Sequence, residues 1–130
     1  MILNLTEVSD EPLHSQISRQ VRAKILAGEL EDGDPLPSIR KLSKDVRVSV
    51  ITVQRAYEDL DREGLIQARR GKGFFVSSMS EARRENLARQ RFREALEPVV
   101  IEGRAEGLSD PQMSEIFRSV LQDPSSGDAR

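Results

Sequence analysis

Two short amphipathic segments, each opened by a serine and separated by only a few residues, constrain this chain more than any other feature. In the first, Ser38 is placed to cap a helix, because its hydroxyl accepts from the orphan N–H groups of the first turn. Behind it Ile39, Leu42 and Val46 share one side, over about two turns. Arg47-Val48-Ser49 breaks this run, and Ser49 is the next cap. Val53, Ala56, Tyr57 and Leu60 then recur at i, i+3, i+4 and i+7, which predicts a helix from about 50 to 63, ended by Gly64. Two helices joined by so short a turn form a helix-turn-helix pattern. Leu65–Arg69 and Phe74–Ser77 follow as two predicted strands around Arg70-Gly71-Lys72-Gly73, a hairpin in the position of a wing.

Upstream, residues 1–10 read as an extended lead-in. A helix is expected from Asp10 or Glu11, with Pro12 in its first turn and Leu13, Ile17, Val21 and Ile25 as its apolar stripe, stopping near Gly28. Residues 28–35 are dense in turn residues and read as a loop. Downstream, Ser80 caps a long charged helix with Leu87, Phe92, Ala95 and Leu96 as a sparse apolar face. Pro98 is expected to break or kink it, with Val99, Val100 and Ile101 continuing helically until Gly103 and Gly107 weaken the run. Ser109-Asp110-Pro111-Gln112 resembles a capping box before Met113, Ile116, Phe117, Val120 and Leu121. Residues from Asp123 on read as a frayed end. The fold class expected is therefore mainly α with a small β-hairpin wing. An N-terminal winged helix-turn-helix (residues 1–79) is joined to a C-terminal helical dimerisation tail (residues 80–130).

Composition narrows the function. Cysteine is absent and there is one histidine, His14, so disulfides and thiolate metal sites are excluded; no metal or other cofactor is expected, and His14 is given no role. No stretch approaches the roughly 20 apolar residues of a membrane span, and the start lacks a signal peptide's basic and apolar regions, so the expected location is the cytoplasm with no membrane partner. No nucleophile–base set appears, and Gly71-Lys72-Gly73 is too short for a nucleotide-cradling loop, so an enzyme is not expected. The net charge of −2 hides an uneven distribution: residues 36–79 carry nine basic and five acidic side chains, while residues 1–35 carry three and seven. A local positive field of this kind suits nucleic acid, although ordinary soluble surfaces vary by several charges.

The non-packing edge of the second capped helix carries Val50, Ile51, Gln54 and Arg55. In a helix-turn-helix the N-terminal part of this helix enters the major groove, where Gln54 can pair bidentately with adenine and Val50 or Ile51 can touch a thymine methyl. The alternative is an ordinary solvated face.

The segment from Leu13 to Val76 resembles the GntR family of winged helix-turn-helix regulators. The resemblance rests on Leu13, Gln16-Ile17, Ile25-Leu26 before Gly28, Gly33, Leu36-Pro37-Ser38, Arg40, Leu42, Val48-Ser49, Thr52-Val53, Ala56, Leu60, Glu63-Gly64-Leu65-Ile66 and Arg70-Gly71-Lys72-Gly73 with Phe75-Val76. It covers about half the chain, and the short tail looks like that of the YtrA subfamily. The resemblance implies a phosphate or groove contact at Arg40, against the alternative of an ion pair with Asp45 or another acid; Lys41 and Lys44 read as plain surface lysines. It further implies DNA contact by Ser49, Val50, Ile51, Thr52, Gln54 and Arg55, and by the wing tip Arg69, Arg70, Gly71 and Lys72, whose alternative is a solvated hairpin. Family members often carry arginine at the positions of Val50 and Gln54, so guanine reading is not carried over. Since the tail is too small to bury much surface alone, Leu87, Phe92, Leu96, Val99, Val100, Met113, Ile116, Phe117, Val120 and Leu121 are expected to form a homodimer interface. Two heads would then reach half-sites about 34 Å apart on a palindromic double-stranded DNA operator. The expected function is that of a repressor, with room for an unknown small-molecule effector acting through the tail and, by resemblance, for control of a transporter operon. A winged helix that docks proteins instead of DNA is the competing assignment; it would not need the cationic wing.

Overall fold

The computed structural model describes residues 1–123; the expected frayed end at 124–130 lies outside the described residues. The chain divides into a unit spanning Met1–Glu85 and a second beginning at Asn86. In order, the elements are α1 (Leu13–Leu26), α2 (Ile39–Val46), α3 (Val50–Arg62), β1 (Ile66–Arg69), β2 (Gly73–Val76), α4 (Glu81–Ala105) and α5 (Asp110–Gln122).

Local chemistry sets the helix ends. Ser38 Oγ accepts from the Lys41 N–H and Ser49 Oγ from the Thr52 N–H, so both predicted caps operate. Pro12 lies one residue before α1 as its N-cap rather than inside the first turn. α1 stops at Ala27, followed by Gly28 at φ +85°. Ile17, Val21 and Ile25 from α1 meet Leu42 from α2 and Val53, Ala56, Tyr57 and Leu60 from α3 in the core. Leu36, Leu65, Ile66 and Val76 close it on the wing side. The lead-in is held by amides: Gln16 and Gln20, one turn apart, each donate to and accept from the backbone, Gln16 at Thr6 and Gln20 at Asn4.

The hairpin is antiparallel, with Ile66 opposite Val76 and Arg69 opposite Gly73. Its connection is therefore three residues, Arg70-Gly71-Lys72, because Gly73 already belongs to β2; the Lys72 N–H donates to Arg69 O at 2.8 Å. Residues 33–35, expected as plain loop, add with Leu36 an irregular third edge. Gly33 N–H donates to Val76 O, Val76 N–H to Asp34 O and Leu36 N–H to Phe74 O, each at 2.9 Å, with Pro35 bridging Phe75. Proline is tolerated there because it lies on an outer edge, where no donor is needed.

In the second unit α4 continues past Pro98 to Ala105: the helical continuation expected at Val99, Val100 and Ile101 is present, and of the expected break or kink no break occurs. Proline removes only its own N–H, and on an exposed stretch water solvates the carbonyl left free. Gly103 does not weaken the tail either; it is buried, and a Cβ there would lie 3.0 Å from Met113 Sδ and 3.7 Å from Leu108 Cδ1, so it lets Met113 approach. Gly107, at φ +98°, follows the end of α4, and Ser109 with Gln112 forms the expected capping box of α5. Phe92 and Phe117 lie with ring centroids 6.4 Å apart. Among the described residues no helix is long and apolar enough to cross a membrane.

Candidate nucleic-acid interface

Burial of Val53, Ala56, Tyr57 and Leu60 turns the opposite edge of α3 outward. Val50 is 45% and Ile51 68% exposed, two large β-branched side chains in water at the very start of a helix. Gln54 and Arg55 are exposed on the next turn. Gln54 Nε2 donates to Glu58 Oε2 at 3.2 Å, which orients the amide. Arg55 has no hydrogen-bond or ion-pair partner among the described residues. Ser49 and Thr52 are committed to the cap, their hydroxyls 2.8 Å apart.

Arg40, second residue of α2, is exposed and also unpaired among the described residues. The acid proposed as its alternative partner, Asp45, pairs with Lys41 at 3.2 Å instead. At the wing, Arg69 lies with its guanidinium 4.4 Å from the Phe75 ring centroid, a cation–π contact that fixes its direction without burying it. Arg70 and Lys72 flank Gly71, which takes φ +75° at the tip, and both cations are exposed and unpaired among the described residues. The tip could not turn so tightly with a β-branched residue at Gly71.

One side chain joins these three places and does more than the packing expected from its place in the apolar stripe. Tyr57 on α3 donates its hydroxyl to Pro37 O at 2.8 Å, just before α2, and sets its ring edge-on to Phe74 of β2 at 5.0 Å. Burial pushes the phenol pKa well up, so it stays a donor at any ordinary pH. The entrance of α2, the edge of α3 and the wing are thereby fixed in one arrangement within the first unit, supported by the Leu36–Phe74 backbone bond. A signal was available, since the chain's one tyrosine falls in a buried stripe and a buried phenol must find an acceptor. At the other end of α3, Arg22 donates to both carboxylate oxygens of Glu63, at 2.7 and 2.6 Å, and ties α1 to that end. His14 Nδ1 lies 3.6 Å from Asp59 Oδ2, half-buried on α1.

The residues expected to pair two subunits all fall in the second unit. Phe92, Val99, Ile116, Phe117, Val120 and Leu121 are exposed, and Leu87, Leu96, Val100 and Met113 are half-buried. Ile101, missed in the sequence, is 66% exposed beside them.

Known proteins share this fold. The profile of "Bacterial regulatory proteins, gntR family" matches residues 13–76. An HTH-type transcriptional regulator of Bacillus subtilis, YhcF, is 35% identical over 114 residues, covering 88% of this chain and 93% of its own. The chain belongs to the GntR family. A second Bacillus subtilis relative, the HTH-type transcriptional repressor YtrA, is 29% identical over 119 residues and 92% of each chain. In three dimensions, a GntR family transcriptional regulator from Listeria monocytogenes superposes with a TM-score of 0.75 at 27% identity, over 86% of this chain and 97% of that one. The winged helix-turn-helix with a helical C-terminal region is thus the GntR architecture, and these relatives are transcription regulators, not enzymes. The chain is a DNA-binding transcription regulator of the YtrA-like kind.

Proposed function

We propose that this regulator is a repressor that binds a palindromic operator as a homodimer. Residues 1–79 would read DNA and residues 80–130 pair the subunits. The observation that carries the reading is the set of cations without a partner among the described residues at two separate places of one unit, Arg40 on α2 and Arg70 and Lys72 on the wing, with the exposed Val50–Ile51–Gln54–Arg55 edge of α3 in the same unit. Phosphate contacts set register and carry salt-dependent affinity; the α3 edge supplies base reading, Gln54 to adenine and Val50 or Ile51 to a thymine methyl. Repression is supported by the relative YtrA, an HTH-type transcriptional repressor matched over 92% of its length. Pairing is supported by the apolar side chains that α4 and α5 leave exposed. An unknown effector, if the protein answers to one, would act through the tail by repositioning the heads, and a transporter operon is one target consistent with the resemblance.

A gel shift with the protein's own upstream region at two salt concentrations tests the reading. Binding that weakens steeply with salt is expected. Absent or salt-insensitive binding would favour a protein-docking role for the same fold.

A further inference from the structure

Arg47 is the one non-glycine residue with positive φ among the described residues, at φ 59° and ψ 49°, the left-handed region. It terminates α2: its N–H donates to Ser43 O, as does the N–H of Val48 at 3.1 Å, while Ser43 Oγ donates back to Val48 O. Glycine or asparagine normally fills such a place, because a Cβ in this conformation presses on the following carbonyl. Only the backbone of Arg47 serves the fold. Its side chain is exposed and has no hydrogen-bond or ion-pair partner among the described residues, and Asp45, the acid on the preceding turn, is taken by Lys41. A strained conformation is thus kept for a side chain that none of the described residues engages.

Position suggests what does use it. Ser49, the cap of α3, is two residues on, no more than about 7 Å of extended chain away. Exposed Val50 and Ile51 begin immediately after it. We propose that Arg47 is a further DNA-backbone contact, a guanidinium at the turn between α2 and α3 that takes a phosphate beside the groove entered by α3. The inference rests on the DNA reading above and adds a contact at a turn where the resemblance supplied none. Phosphate is the chemical class that fits: guanidinium pairs with it bidentately, and a residue outside the helix has no fixed base-edge register.

The test uses the full chain with labelled duplexes, one carrying the upstream region and one of random sequence, titrated across a series of NaCl concentrations. Replacing Arg47 with glycine removes the cation and the backbone strain together. Arg47→Gly is expected to melt a few degrees higher than wild type, yet to bind both duplexes about five- to tenfold more weakly near 0.1 M salt, with a salt slope shallower by about one. Arg47→Lys should restore most of that slope. With melting at or above the wild-type temperature, weaker binding by the glycine variant cannot be ascribed to unfolding. Affinity and slope unchanged in Arg47→Gly would overturn the assignment while leaving the DNA reading intact, and a loss confined to the upstream duplex would do so too. Wild-type protein that binds neither duplex would sink the DNA reading and this contact with it.

Discussion

Gln54 and Arg70 are both exposed polar residues on the proposed interface, yet their surroundings assign them different work. Gln54 has its amide nitrogen committed to Glu58, which leaves the carbonyl oxygen and a second N–H in a defined direction, as bidentate pairing with adenine requires. Arg70 sits on a turn with no partner among the described residues to direct it, which suits a phosphate. Gln54→Ala should therefore cost about tenfold in preference for one base pair and leave the salt slope unchanged. Arg70→Ala should weaken all duplexes alike and lower the slope by about one. Binding-site selection from random duplexes, followed by salt titrations of the winning and scrambled sequences, separates the two. Tyr57 offers a stability test at the same scale. Tyr57→Phe keeps the ring on Phe74 but leaves the Pro37 carbonyl without its donor, which should cost about 1 kcal/mol in urea unfolding.

Elements whose ends are written in local chemistry could be read directly. Ser38, Ser49, Ser80 and Ser109 each accept from an N–H three residues on, and each was identifiable from the residue type and the apolar run behind it. Elements defined by partners far along the chain could not. The edge at Gly33–Leu36 has a turn-like composition, and only the presence of β2 makes it part of a sheet. Tyr57's bond to Pro37 spans 20 residues and was hidden for the same reason. At Pro98 local propensity left a break or a kink open, and no break occurs because an exposed helix can lose one internal bond to water. Pro98→Ala should therefore stabilise α4 by about 1–3 kcal/mol without changing its extent, seen as a rise in melting temperature with unaltered helical circular dichroism per residue. A large gain in helical signal would mean that α4 is interrupted at Pro98 in solution.

At the scale of the whole molecule, the proposed homodimer divides its work between DNA reading in the first unit and pairing in the second. The first turn of α4 belongs to the head. Arg84 donates to the Ile25 carbonyl at the end of α1 and to Asp32, and the Met79 N–H donates to the other oxygen of the same Asp32 carboxylate. Arg84 is mostly buried, so the pair is more than a loose surface contact. Pairing and this latch can be separated experimentally. Val120→Asp with Leu121→Asp places charges among exposed apolar side chains of α5, and sedimentation should show dimer converting to monomer. Operator affinity should then fall by about two orders of magnitude, while half-site binding by the intact head is unchanged, because only the linkage of two heads is lost. Arg84→Ala should leave the proposed dimer intact and release the first turn of α4 from Ile25 and Asp32, which should cost about 1–3 kcal/mol in urea unfolding of the first unit. If the variant unfolds at the wild-type urea concentration, the Arg84–Asp32 latch does not hold the start of α4 to the first unit.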